Sequence, residues 1–193
     1  VVGLDTMAHV IKTMADTLPD DPWHEHFKSP EWLTALIEKG ALGAKVGAGF
    51  YRKAGKEIQV LDLAKQDYRA SEQKASDEVA AILGVKNPAE KFAKLRASKD
   101  PQAQFLWACF RDLFHYTAYH LEGIAETARD VDFAIRWGYG WKLGPFETWQ
   151  AADWQTVAKA ITEDIDAAKA MSKAPLHAWV TDGGSGVHHA DGW

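Results

Sequence analysis

Three scarcities narrow the possibilities. The 193-residue chain has one cysteine, Cys109, which excludes an internal disulfide framework and fits a reducing compartment, taken here as the cytoplasm. No apolar run approaches the ~20 residues that a membrane-crossing helix needs. Positive charge is also in short supply. Lys and Arg number 22 against 27 Asp and Glu, a net charge of −5, which leaves no footprint for nucleic acid. The longest basic cluster, "KLRASK" (94–99), is short and broken and reads as a solvated helix end.

What remains is an ordinary globular composition, 47% hydrophobic and 25% charged, in a length that suits one domain or two small ones. The abundant residue is tryptophan, with nine. Trp23, Trp137, Trp141 and Trp193 fall beside glycine or proline, so aromatic-lined loops and interfaces are expected. Cys109 sits in the apolar run "FLWACF" and is expected to be a buried, inert thiol.

The chain reads mainly as helices. Asp5 is expected to cap a helix over "TMAHVIKTMADTL" that Pro19 stops, and Ser29-Pro30 opens "PEWLTALIEK", closed by Gly40. "GFYRK" and "EIQVL", flanking "AGK", form one possible hairpin. Short helices are expected over 71–83 and 88–97. Asp100-Pro101 then opens a long helix whose stripe Phe105, Cys109, Asp112, Tyr116, Tyr119, Gly123 is expected to face the core. Asp130 is expected to cap the next helix and Gly138 to end it, and two more follow Gly144. A faint repeat sets "AADWQTVAKAI" (151–161) under "VVGLDTMAHVI" (1–11), and "HAWVTDGG" (177–184) under "TALIEKGA" (34–41). The expectation is therefore a fragment in which the first of two copies lacks its front half.

Candidate chemistry is incomplete everywhere. Gly138, Gly140 and Gly144 are spaced one residue too widely for a dinucleotide loop and follow a helical rather than a strand pattern. They read as turning one helix into the next at Pro145. "HEH" (24–26) and "HH" (188–189) lack metal-ligand spacing, so no metal is expected. Ser185, His188 and Asp191 have triad residue types without a nucleophile elbow, and the segment reads as a flexible tail. Glu147 reads as a first-turn acid that favours the helix dipole. No catalytic residue is assigned.

The run "DVDFAIRWGYGWKLGPFETW" (130–149) resembles the signature of the C-terminal helical domain of 3-hydroxyacyl-CoA dehydrogenases. "VVGLDTM" looks like the stretch after a first Gly-Pro-Phe, and "LIEKGALGAKVGAGFYRK" is similar to the family's Leu-Gly-x-Lys-x-Gly-x-Gly-Phe-Tyr ending. The resemblance implies an all-α helical bundle of that type, with two pseudo-repeats. It divides as residues 1–66, the rear of a first repeat, and 67–193, linker helices and a second repeat. It also implies a full-length enzyme that oxidises a 3-hydroxyacyl-CoA with NAD in fatty-acid β-oxidation. The catalytic and NAD-binding residues would lie in a Rossmann-type domain that nothing here matches, so this part would bind no cofactor and be inactive alone. Its expected share is the acyl-CoA cleft and packing, with a homodimer possible. By resemblance Trp137 approaches the substrate; the alternative packs it into the core. Gly138, Gly140, Gly144, Pro145 and Phe146 are structural in this reading. A different class, a helical protein-interaction scaffold without a ligand, remains open.

Overall fold

The computed structural model describes residues 3–71 and 74–188. It divides into two compact units, residues 1–74 and 75–193.

Among its described residues the first unit has two α-helices, α1 (Leu4–Thr17) and α2 (Glu31–Glu38), with short 3-10 turns at His24–His26 and Ala44–Val46, and strands β1 (Tyr51–Ala54), β2 (Glu57–Asp62) and β3 (Asp67–Ala70). The anticipated hairpin is β1–β2, with Tyr51 opposite Val60 and Gly55 taking φ +63° in the turn. The chain is nevertheless not all-α. A third strand pairs antiparallel with β2, Gln59 opposite Ala70 and Asp62 opposite Asp67. "DYRA" is too short and too polar to show a period of two, so its pairing depends on tertiary contacts. The Tyr68 hydroxyl donates to the Gly49 carbonyl at 2.6 Å, and Arg52 lies 4.2 Å over the Tyr68 ring. Leu4, Leu33, Leu36 and Leu61 form the core, with Trp32 and Phe50 packed on it. The glycine-rich approach to β1 is a real close contact, because a Cβ on Gly49 would fall 2.7 Å from the Gly43 Cα. Asp5 does not cap α1. It lies inside the first turn and pairs with Lys45 at 2.6 Å, a partner too distant in sequence for local capping rules to register. Trp23, expected in an aromatic-lined loop, is buried.

The second unit is helical among its described residues: α3 (Asp77–Leu83), α4 (Pro88–Ala97), α5 (Pro101–Ile124), α6 (Ala128–Tyr139), α7 (Pro145–Ala151), α8 (Trp154–Asp166) and α9 (Ala178–Thr181). Side-chain caps set several starts. Ser76, Asn87, Asp100 and Asp153 each accept a backbone N–H in the first turn of α3, α4, α5 and α8. At α6 the cap is Thr127, and Asp130 completes a capping box from the third helical position rather than serving as the cap itself.

The buried stripe of α5 agrees only in part with the one read from the sequence, since Asp112 is buried and Tyr116 and Tyr119 are half-buried but the rest lie outside it. Ala103, Trp107, Phe110, Phe114, Ala118 and Leu121 face the core, whereas Phe105 is 66% exposed and Cys109 is exposed. Both faces of α5 carry apolar residues at helical spacing, so periodicity alone does not choose between them. The Cys109 thiol is not buried, yet partial desolvation and the nearby Asp112 push its pKa up, so thiolate is scarce. The core is built on aromatic stacking. Phe114 stacks on Trp149 and Trp149 on Trp154, with centroids 5.4 and 4.2 Å apart. Each buried ring of this kind stabilises by roughly 1.5–3 kcal/mol. Both indoles are satisfied, Trp149 donating to the Trp154 carbonyl and Trp154 to that of Val180.

Candidate functional site

The α6–α7 corner gathers the most distinctive residues. α6 runs through Gly138, which adopts ordinary φ and would accept a Cβ without contact. The helix ends instead at Gly140, in the left-handed region at φ +69°. Gly138 therefore does not terminate α6.

α7 starts at Pro145, after Gly144. Glycine has no side chain with which to cap, and a neighbouring helix supplies the missing group. The Asp132 carboxylate of α6 accepts the Phe146 N–H at 2.8 Å and the Glu147 N–H at 3.0 Å. A Cβ on Gly144 would fall 2.2 Å from Asp132 Oδ1, so the carboxylate reaches the amides only because residue 144 is glycine. Glu147 turns back to accept the Gly144 N–H at 2.7 Å and pairs with Arg136 at 2.9 Å. Pro145 and Phe146 are fully buried. Asp132 is 1% exposed, and burial pushes its carboxyl above the usual range, opposed by His188 and the two backbone N–H groups. Sequence reasoning missed Asp132 as a cap, although it lies in the run 130–149 that carries the family resemblance.

The rim of this corner is aromatic and open. Trp137 is 78% exposed, and Tyr139, Trp141 and Leu143 are exposed beside it in the chain. Trp137 stacks on Phe133 at 4.9 Å, and the guanidiniums of Arg129 and Arg136 lie 4.9 and 5.4 Å from the Phe133 ring. Core burial of Trp137, the alternative held open by the sequence, is thus excluded.

The C-terminal residue set behaves differently from a triad. Asp191 lies outside the described residues. His188 turns to Asp132, Nε2 lying 2.7 Å from Oδ2. Nor is the described part of the segment the loose tail expected, because Gln155 binds Gly184, Gln150 binds Val187 and His188, and Asp132 binds His188. Among the described residues, no group of His, Cys, Asp and Glu is arranged to hold a metal, and no helix is long and apolar enough to cross a membrane.

A cleft of about 340 Å³ between α4, α5 and α8 is lined by Arg96, Trp107, Arg111, Asp164 and Lys169. Arg96 and Arg111 are both engaged by carboxylates, Glu163, Asp164 and Asp112. Its chemistry is that of an internal ion network rather than a receptor for one charged ligand.

The model of the 3-hydroxyacyl-CoA dehydrogenase C-terminal domain family matches residues 1–53. A protein from Bacillus subtilis strain 168 that carries the name of a 3-hydroxyacyl-CoA dehydrogenase is 38% identical over 151 residues, covering 78% of this chain and 19% of the relative. A Rickettsia felis protein bearing the name of a fatty acid oxidation complex trifunctional enzyme is 29% identical over 167 residues, 82% of this chain and 22% of the relative. One of the same name from Rickettsia prowazekii is 22% identical over 152 residues, 76% of this chain and 20% of the relative. The chain spans about a fifth of the length of these relatives. No solved structure is a significant match. The match to the family model over residues 1–53 and the likeness to the Bacillus subtilis protein over most of the chain support the C-terminal domain of a 3-hydroxyacyl-CoA dehydrogenase.

Proposed function

We propose that this chain is the C-terminal part of an NAD-dependent 3-hydroxyacyl-CoA dehydrogenase of fatty-acid β-oxidation, working in the cytoplasm. In this reading it supplies one wall of the acyl-CoA cleft and packing for a separate Rossmann-type domain, and is inactive alone. The observation that carries the proposal is the open aromatic rim at the α6–α7 corner, where Trp137 stands 78% exposed on a scaffold fixed by the buried Asp132. A flat indole over Phe133 offers apolar contact to an acyl or pantetheine chain.

The residues do not fit NAD at the glycine run. The α7 N-terminus, where a pyrophosphate would sit in a dinucleotide site, already holds the Asp132 carboxylate. No strand precedes it either, since the preceding element is α6. NAD is therefore assigned to the full-length enzyme and not to this part.

The duplicated plan, the rear of one copy followed by a second, is supported by helix placement, although the first compact unit runs to residue 74 rather than 66 because β3 pairs with β2. α1 starts at Leu4 and α8 at Trp154, as the aligned repeat requires. Gly40 after α2 and Gly183 after α9 are both left-handed, at φ +72° and +89°. We also propose a homodimer through the open apolar stripe of α1.

The test of the main reading is a titration with a long-chain 3-oxoacyl-CoA followed by tryptophan fluorescence, beside Trp137→Ala. Saturable quenching that the substitution abolishes is expected. Quenching unchanged in the variant moves the contact elsewhere, and no response overturns ligand binding by this part.

A further inference from the structure

We infer that Gly184–His188 is a latch for the α6–α7 corner, and that His188 is a positioning residue acting through Asp132. Four independent features hold the segment. The Gln150 side chain of α7 brackets it: Oε1 accepts the N–H groups of Val187 and His188 at 3.0 and 2.9 Å, and Nε2 donates to the His188 carbonyl at 2.7 Å. Gln155 of α8 donates to the Gly184 carbonyl. Val187 packs on the main hydrophobic core. His188 then contacts the buried Asp132.

Glycine makes this path possible. Gly186 has φ +142°, and a Cβ there would fall 2.0 Å from Gln150 Oε1. The glycine-rich sequence that looks like a disordered end is what lets the backbone run close against Gln150.

The consequence lies at Asp132. Its Oδ1 serves the Phe146 amide, and its Oδ2 serves both the Glu147 amide and His188 Nε2. The carboxylate is thus aimed from two directions, by the α7 N-terminus and by the latch. Other charged groups near the corner are Arg136 of α6 and Glu147 of α7, which pair with each other. Without His188 a buried carboxylate loses one of its three partners, and the α7 N-terminus is held less firmly. Since α6 carries Trp137 into the same corner, the latch also sets the aromatic rim. That last step rests on the acyl-CoA reading above, whereas the mechanical one does not.

Hydrogen exchange at the Phe146 and Glu147 amides tests the latch directly and needs no acyl-CoA. In His188→Ala these amides are expected to exchange about ten- to a hundred-fold faster, as loss of a charge-assisted hydrogen bond implies, while α5 amides keep their rates. Gly186→Ala, which displaces the segment without touching His188, is expected to give the same local loss. His188→Gln, which retains a neutral donor, is expected to recover part of the protection. Imidazole added to His188→Gly is expected to recover it in a concentration-dependent way, a response that a merely space-filling side chain would not give. Unchanged Phe146 and Glu147 rates in both His188→Ala and Gly186→Ala overturn the inference. So does a uniform rise across α5 and α7, which marks global destabilisation. Faster amide exchange in a protein that does not respond to acyl-CoA leaves the latch standing and removes the acyl reading.

Discussion

Trp107 donates its indole N–H to Asp164 at 2.7 Å, joining α5 to α8 inside the helical unit. Asp164 also receives Arg96 at 3.3 Å and Arg111 at 3.4 Å, and Arg111 is held from its other side by Asp112 at 2.7 Å. Both Arg111 and Asp164 are buried, so each charge depends on the others for its solvation.

Replacing Asp164 therefore exposes a weakness out of proportion to its size. Asp164→Ala is expected to lower unfolding stability by about 3–5 kcal/mol, because Arg111 stays buried with one counter-charge fewer. Trp107→Phe keeps the ring and removes only the donor, and is expected to cost less. Denaturant midpoints for the two variants check this order, and equal losses would contradict it.

Acid sensitivity should come in two steps with different owners. Burial pushes the His115 imidazole below its ordinary value, against its bond to the Ala174 carbonyl and the pull of Asp112. A depressed histidine contributes stability that is complete above about pH 6.5 and is lost as pH falls through the lower folded value. Burial raises the Asp164 carboxyl, but Trp107, Arg96 and Arg111 outweigh it and hold the pKa below the usual range. Its contribution is complete above the ordinary Asp value near 3.8 and is lost as pH falls through the lower folded value. A pH series of denaturant midpoints on wild type and His115→Gln should show the first step vanish in the variant and the second persist.

Much of this architecture is legible in the chain because its signals are local. Asn87-Pro88 and Asp100-Pro101 mark α4 and α5 by cap chemistry that needs no tertiary partner. The misread features depend on residues far apart in sequence. β3 is recognisable only beside β2, Asp5 is claimed by Lys45, and the His188 segment is ordered by Gln150 and Asp132. α5 misleads for another reason, since Phe105, Cys109 and Ile124 are apolar yet exposed while Arg111, Asp112 and His115 are polar yet buried. At the corner, the sequence pattern locates the glycines but not why one differs from another, because that distinction lies in where Asp132 points.

Two of these glycines should accordingly respond to the same substitution with opposite signs. Gly144→Ala drives a Cβ onto the Asp132 side chain and backbone, 2.2 and 2.3 Å away, and is expected to cost about 1–3 kcal/mol as an overpacked site does. Gly138 lies within α6 with open space around it, so Gly138→Ala is expected to stabilise by roughly 0.5–1 kcal/mol through helix propensity. Thermal unfolding of the two variants decides the matter, and a stable Gly144→Ala would remove the close-approach argument.

The proposed dimer makes the remaining demand on the surface. Met7, Val10 and Met14 follow one stripe of α1 at helical spacing, with Leu18 just beyond its end, and Val10 is 51% exposed. Their repeat partners on α8, Val157, Ala160 and Asp164, are all buried, so the same face of the equivalent helix is covered in the second unit. A second copy that covers the α1 stripe removes apolar surface from water, and contiguous patches of this kind rarely stay open. The weight-average mass from sedimentation equilibrium is expected to rise towards the dimer with concentration in wild type and to stay monomeric in Val10→Asp. A wild-type mass that remains monomeric at high concentration would show that the stripe does not pair copies of this chain.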